Sequence, residues 1–136
     1  MSSQKIENYW LEYADDELKV ARLLFADGER RGFAYQAAIF HCHQAVEKML
    51  KAKLIDTGLI PPRIHDLTAL ADKLAVDIPE PIDLALQELN PHYLYPRYPD
   101  MKFLPSFHFS YNQKNTKHIL IITEQICRWL KKQFKI

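Results

Sequence analysis

The stretch Tyr35–Leu54, YQAAIFHCHQAVEKMLKAKL, constrains the fold more than any other part of the chain. Tyr35, Ile39, Cys42, Val46, Met49, Leu50 and Lys53 recur on it at helical spacing and define one stripe. A second stripe of small residues, Ala34, Ala38, Ala45 and Ala52, runs beside it with His41 among them. Together the stripes wrap nearly half of a helix, so a helix over residues 33–57 is central and touches several neighbours. Phe40, Gln44, Glu47 and Lys51 take the opposite side, with Glu47 and Lys51 in the favourable order for an i,i+4 ion pair.

The rest of the chain supplies the neighbours. Trp10, Leu11, Ala14, Leu18, Ala21 and Phe25 mark a helix over residues 6–26, with Gly28 as its stop signal. Pro61-Pro62 break the chain, and Asp66 caps a short helix over residues 67–75. Pro81 suits the first turn of the next helix, which buries Ile82, Ala85, Leu86 and Leu89 and ends or bends at Pro91. Residues 90–110 read as neither helix nor strand: Pro91, Pro96, Pro99 and Pro105 alternate with Tyr93, Tyr95, Tyr98, Phe103, Phe107 and Phe109. So aromatic a loop is expected to pack on the bundle and to carry function. A last helix over residues 114–134 turns Ile119, Ile122, Ile126 and Leu130 inward.

No segment alternates as a strand would. The expected fold is all-α, an up-down antiparallel bundle of four to five helices, in one domain over residues 1–136 with its core at 6–133. A chain of 136 residues can bury an adequate core without metal or disulfide. Its formal net charge of +1, from 18 basic and 17 acidic side chains, exerts no global pull on nucleic acid or an anionic membrane. The polar start MSSQKIENYW is not a secretory leader, and no apolar run approaches a membrane span. Cys42 and Cys127 read as reduced core thiols of a cytoplasmic protein.

Candidate chemistry is sparse. His41-Cys42-His43 cannot converge on one ion, because neighbouring helical residues diverge by ~100°. His43 and Glu47 are the one i,i+4 ligand pair, and no metal is expected. Cys42 at the centre of an apolar arc is no nucleophile. Three glycines, Gly28, Gly32 and Gly58, leave no phosphate loop, and no cofactor is expected. Arg97-Tyr98-Pro99-Asp100 is the most site-like segment. Arg97 can fork onto phosphate or carboxylate, Tyr98 can stack, and Asp100 can orient Arg97. The alternative is that Arg97 and Asp100 pair with helix residues and pin the loop. Arg63, His65 and Asp66 form a second polar knot, which a helix cap and a structural histidine would equally explain.

Three segments in series, QAVEKMLKAKL at residues 44–54, HDLTAL at 65–70 and LNPHYLYPRYPD at 89–100, resemble the HEPN domain family. The resemblance spans residues 6–133. It implies a helical bundle, often a homodimer, linked to nucleotides or RNA. Many small members accompany a separately encoded minimal nucleotidyltransferase. Others are ribonuclease toxins with an arginine followed, after four to six residues, by a histidine. None of Arg22, Arg30, Arg31, Arg63, Arg97 and Arg128 has a histidine at that spacing; Arg97 to His108 leaves ten residues between.

The expectation is therefore a non-catalytic HEPN-type subunit, with no catalytic residue assigned, that binds a nucleotide or polar substrate and partners a nucleotidyltransferase. Its ligand-binding residues would be Arg97, Tyr98 and Asp100, with His65, Gln44, Glu47 and Lys48 behind them. A ribonuclease toxin using Arg97 with His108 or His92 is the alternative, and a purely structural dimerisation module the third. The aromatic loop and the small-residue stripe are the surfaces expected to meet a second copy.

Overall fold

Caps and apolar spacing agree on five helices in the computed structural model, which describes residues 2–98, 100 and 109–134. They are α1 (Ser3–Arg31), α2 (Tyr35–Asp56), α3 (Leu67–Ala71), α4 (Glu80–Leu89) and α5 (Gln113–Lys131). No strand occurs among the described residues. The all-helical bundle read from the sequence is what forms.

The Ser2 hydroxyl accepts a hydrogen bond from the Lys5 amide and starts α1 three residues before the expected Ile6. At the other end α1 runs past Gly28 to Gly32, whose φ of 73° gives the left-handed turn that ends it. Gly28 serves a different purpose. A Cβ there would stand 2.8 Å from Cε1 of Tyr35, whose hydroxyl donates to the Gly28 carbonyl at 2.9 Å. Gly28 thus lets the start of α2 close on the end of α1. Ala34 precedes α2 with a φ of 70°, a conformation alanine adopts at some cost.

The helix α2 is surrounded. It packs on α1, α3, α5 and two 3-10 turns, Asn90–Tyr93 and Tyr95–Arg97. Ile39, Cys42, Ala45, Val46, Met49, Leu50, Ala52 and Leu54 lose all their exposure. Truncating Met49 or Leu50 to alanine would cost ~2–5 kcal/mol by the usual cavity penalty.

Three expectations change here. The small-residue stripe is covered within the chain, since Ala38, Ala45 and Ala52 are buried, and it offers nothing to a second copy. The expected outer side of α2 is not outer: Glu47 and Lys51 are only 4% and 6% exposed. His65 and the two 3-10 turns of residues 90–97 reach this side of α2 and cover part of it. Residues 90–97 are not formless; Pro91 and Pro96 open the two 3-10 turns instead of breaking the chain. Pro99, Phe103, Pro105, Phe107 and His108 lie outside the described residues.

Candidate functional site

The site begins with a carboxylate in the wrong place for a surface residue. Glu47 Oε1 accepts from His65 Nδ1 at 3.0 Å and Oε2 accepts from Lys51 Nζ at 3.0 Å. Lys51 in turn stands 5.7 Å from the Trp10 ring centre of α1. Gly58, with a φ of 86°, turns the chain at the end of α2, the connection through Pro61-Pro62 brings His65 back to Glu47, and Asp66 then caps α3 through the Ala69 amide at 3.1 Å. Asn90 ties the cap to the next segment, accepting from the Leu67 amide at 2.7 Å and donating to Asp66 Oδ1 at 3.0 Å.

Behind this knot lies His43, fully buried. Its Nδ1 is 3.8 Å from Glu47 Oε1, too far for a hydrogen bond, and neither ring nitrogen has a hydrogen-bond partner among the described residues. Burial, then the neighbouring His65 and His92, push its pKa down to about 3, so the ring is neutral. Tyr93 lies against both histidines, 5.5 Å from the His43 ring and stacked at 5.6 Å on His65. His92 is also buried, with Phe109 at 4.5 Å, and burial lowers its pKa to about 4.

Arg97 occupies a second station. Its guanidinium carbon lies 5.4 Å from the Phe40 ring centre and 5.6 Å from that of Tyr98, both within cation–π range. It forms no ion pair with any described residue, and neither does Asp100. The pinning ion pair considered from the sequence is therefore absent among the described residues. Arg97, Tyr98 and Asp100 are all exposed.

The two stations share one face of α2 but not one pocket. Phe40 and Glu47 are seven residues apart, which separates them by about 10 Å along the axis. Gln44, half-buried, lies between them. Lys48 belongs elsewhere: it donates to Glu17 of α1 at 2.8 Å and stands 5.8 Å from the Tyr13 ring. His41 meets the same carboxylate at 2.6 Å. Burial raises the Glu17 pKa, but the hydrogen bonds from Lys48 and His41 outweigh it and leave it lowered.

Among the described residues no cluster of three or more His, Cys, Asp or Glu side chains is placed to hold a metal ion. Burial pushes the Cys42 and Cys127 thiols up to about 12, far from a thiolate at neutral pH. Sequence reasoning missed Tyr93 and Asn90. Both sit in the LNPHY stretch it quoted, but neither carries a charge or a spacing that marks it.

The HEPN domain profile matches residues 7–133. The chain belongs to the HEPN domain family. Two solved structures carry the same fold end to end. One is TT1696 from Thermus thermophilus, with a TM-score of 0.78 and 25% identity over 93% of this chain and 96% of that one. The other is ST0689, an archaeal HEPN homologue, with a TM-score of 0.72 and 26% identity over 95% of this chain and 98% of that one. No curated protein matches the sequence. Among the described residues of this HEPN chain, no helix is long and apolar enough to cross a membrane.

Proposed function

We propose that this HEPN chain is a non-catalytic, cytoplasmic binding subunit. It takes a nucleotide, or another polar phosphorylated ligand, at Arg97 and works with a separately encoded minimal nucleotidyltransferase. One observation carries the reading: the Arg97 guanidinium rests on Phe40 and Tyr98 with no carboxylate of the described chain engaging it. Aromatic faces hold the fork in place without consuming its N–H donors, which suits bidentate capture of phosphate. Tyr98, 43% exposed, offers a ring edge to the ligand, and Asp100, also exposed, follows Arg97 by three residues. Gln44 and His65 extend it along α2, so a ligand reaching both stations spans about 10 Å.

Self-association is part of the same reading. The ribonuclease alternative is weakened at one of its two histidines: His92 is buried and held neutral, a poor proton shuttle for a surface substrate. His108 lies outside the described residues.

The test is calorimetric titration of mononucleotides into the purified chain and into Arg97→Ala. Binding at least tenfold weaker in the variant supports the site, and equal affinity removes it. Co-purification with the product of an adjacent nucleotidyltransferase gene tests the partnership.

A further inference from the structure

The outward side of α1 is apolar where a helix facing only water would be polar. Ile6, Tyr9, Tyr13, Val20 and Leu23 are 38%, 44%, 59%, 36% and 69% exposed. They point away from Ala14, Leu18, Ala21 and Phe25, which face the core. Their spacing is that of alternating a and d positions of a heptad, the seam of paired helices, with Asp16 as the single polar member of the row. Two depressions flank the row. One of about 380 Å³ is lined by Ile6, Tyr9, Trp10 and Tyr13. The other, of about 410 Å³, is lined by Leu23, Leu24, Ala26, Asp27 and Arg30.

The row is self-complementary in reverse. Laid antiparallel on another α1, Ile6 faces Leu23, Tyr9 faces Val20, and Tyr13 faces Asp16. Every exposed apolar residue of the row is used, each tyrosine meets a smaller side chain, and the Tyr13 hydroxyl can donate to the one carboxylate. The flanking charges obey the same register. Glu12 meets Lys19, twice by symmetry, and both residues are exposed and lack an ion-pair partner among the described residues of their own chain. The charge along α1 is polarised to match: Glu7, Glu12, Asp15, Asp16 and Glu17 outweigh Lys5 in its first half, and Lys19, Arg22, Arg30 and Arg31 outweigh Asp27 and Glu29 in its second. Reversal therefore sets acidic against basic, whereas parallel pairing would set like against like.

We propose that two copies of this chain associate through an isologous, antiparallel pairing of α1, with Ile6, Tyr9 and Tyr13 of one copy seated against Leu23, Val20 and Asp16 of the other. This rests on the self-association proposed above and names its surface; it does not depend on the ligand at Arg97. The contact runs over about 26 Å of helix. A pair of that length buries less than the ~1,600 Å² of a standard interface, so the dimer dissociates on dilution.

Sedimentation across a dilution series tests it. The wild type forms a concentration-dependent dimer, and Leu23→Asp, at an exposed position with helicity retained, is monomeric. Glu12→Lys and Lys19→Glu each weaken association about tenfold, and their combination restores it, a rescue that loss of folding would not show. Under mild oxidation a chain carrying both Tyr9→Cys and Val20→Cys forms a covalent dimer while either single variant does not; Cys42 and Cys127 are buried and take no part. A wild type that stays monomeric overturns self-association and surface together. A dimer indifferent to Leu23→Asp overturns this surface alone. Cross-linking by Tyr9→Cys alone overturns the register. Nucleotide titration of Leu23→Asp keeps the two readings apart, since binding at Arg97 is unchanged whichever result appears.

Discussion

Two charged groups reach the same face of α2, and their surroundings are opposite. Glu47 is buried and both of its oxygens are engaged, one by His65 and one by Lys51. Arg97, about 10 Å away along the helix, is exposed, rests on two rings and forms no ion pair among the described residues. A charge that has been desolvated must be answered from within the protein, because an unanswered one is costly. A charge left in water need not be answered at all. The contrast therefore separates a group that holds the loop to the bundle from a group free to meet a ligand, although both lie in segments that looked equally site-like.

The sharpest way to break the contrast is to remove the buried group. Glu47→Ala leaves Lys51 buried beside Trp10 without its counter-charge and frees His65 from α2. Loss of one partner of a buried pair costs ~3–5 kcal/mol. Chemical denaturation should show that loss, and adding Lys51→Met should recover a large part of it. If Glu47→Ala unfolds at the wild-type midpoint, Glu47 is no anchor.

Acid is the second way in, because it charges the groups behind Glu47 and leaves Arg97 as it was. His43 and His92 have folded-state pKa values of about 3 and about 4, below the ~6.5 of an unfolded histidine. The unfolded chain then binds protons that the folded one refuses, so stability is full above pH ~6.5 and falls as pH drops toward those lower values. From pH 7 to pH 5 the loss is about 2 kcal/mol for each ring. Glu17 adds to it at lower pH, since its depressed pKa also favours the folded state only while it is ionised. His43→Phe should flatten the profile between pH 7 and pH 5 by roughly half. An unchanged slope would mean that His43 is protonated in the folded state.

These groups also mark how far the sequence could be read. Helical spacing carried the bundle, because Ile39, Cys42, Val46 and Met49 recur with the period that burial demands. The same logic failed on Glu47 and Lys51. Periodicity assigns polar residues to water, and only the fold reveals that His65 returns to Glu47 and that Trp10 of α1 lies beside Lys51. Gly28 misled for a related reason: a glycine ends a helix or admits a neighbour, and Tyr35, seven positions on, decides which. The family motifs located Arg97 and His65, but their separation along α2 depends on which turn of the helix each reaches, a tertiary fact without a local signature. Lys48 shows the limit most plainly. It is next to Glu47 in the chain, yet the ~100° step of the helix turns it toward Glu17 on α1.

The smallest expected effect on stability is at Arg97, and its smallness is the informative part. Its side chain is exposed and meets the faces of Phe40 and Tyr98, and no charge of the described residues depends on it. Arg97→Ala should therefore shift unfolding by no more than ~0.5 kcal/mol, the range of ordinary surface substitutions. Arg97→Lys should be as stable but should bind phosphate less well, because an ammonium gives up both the flat stacking and the bidentate fork. A drop in stability comparable to that of Glu47→Ala would reverse the comparison, making Arg97 a strut of the loop and removing the proposed anion site beside Phe40.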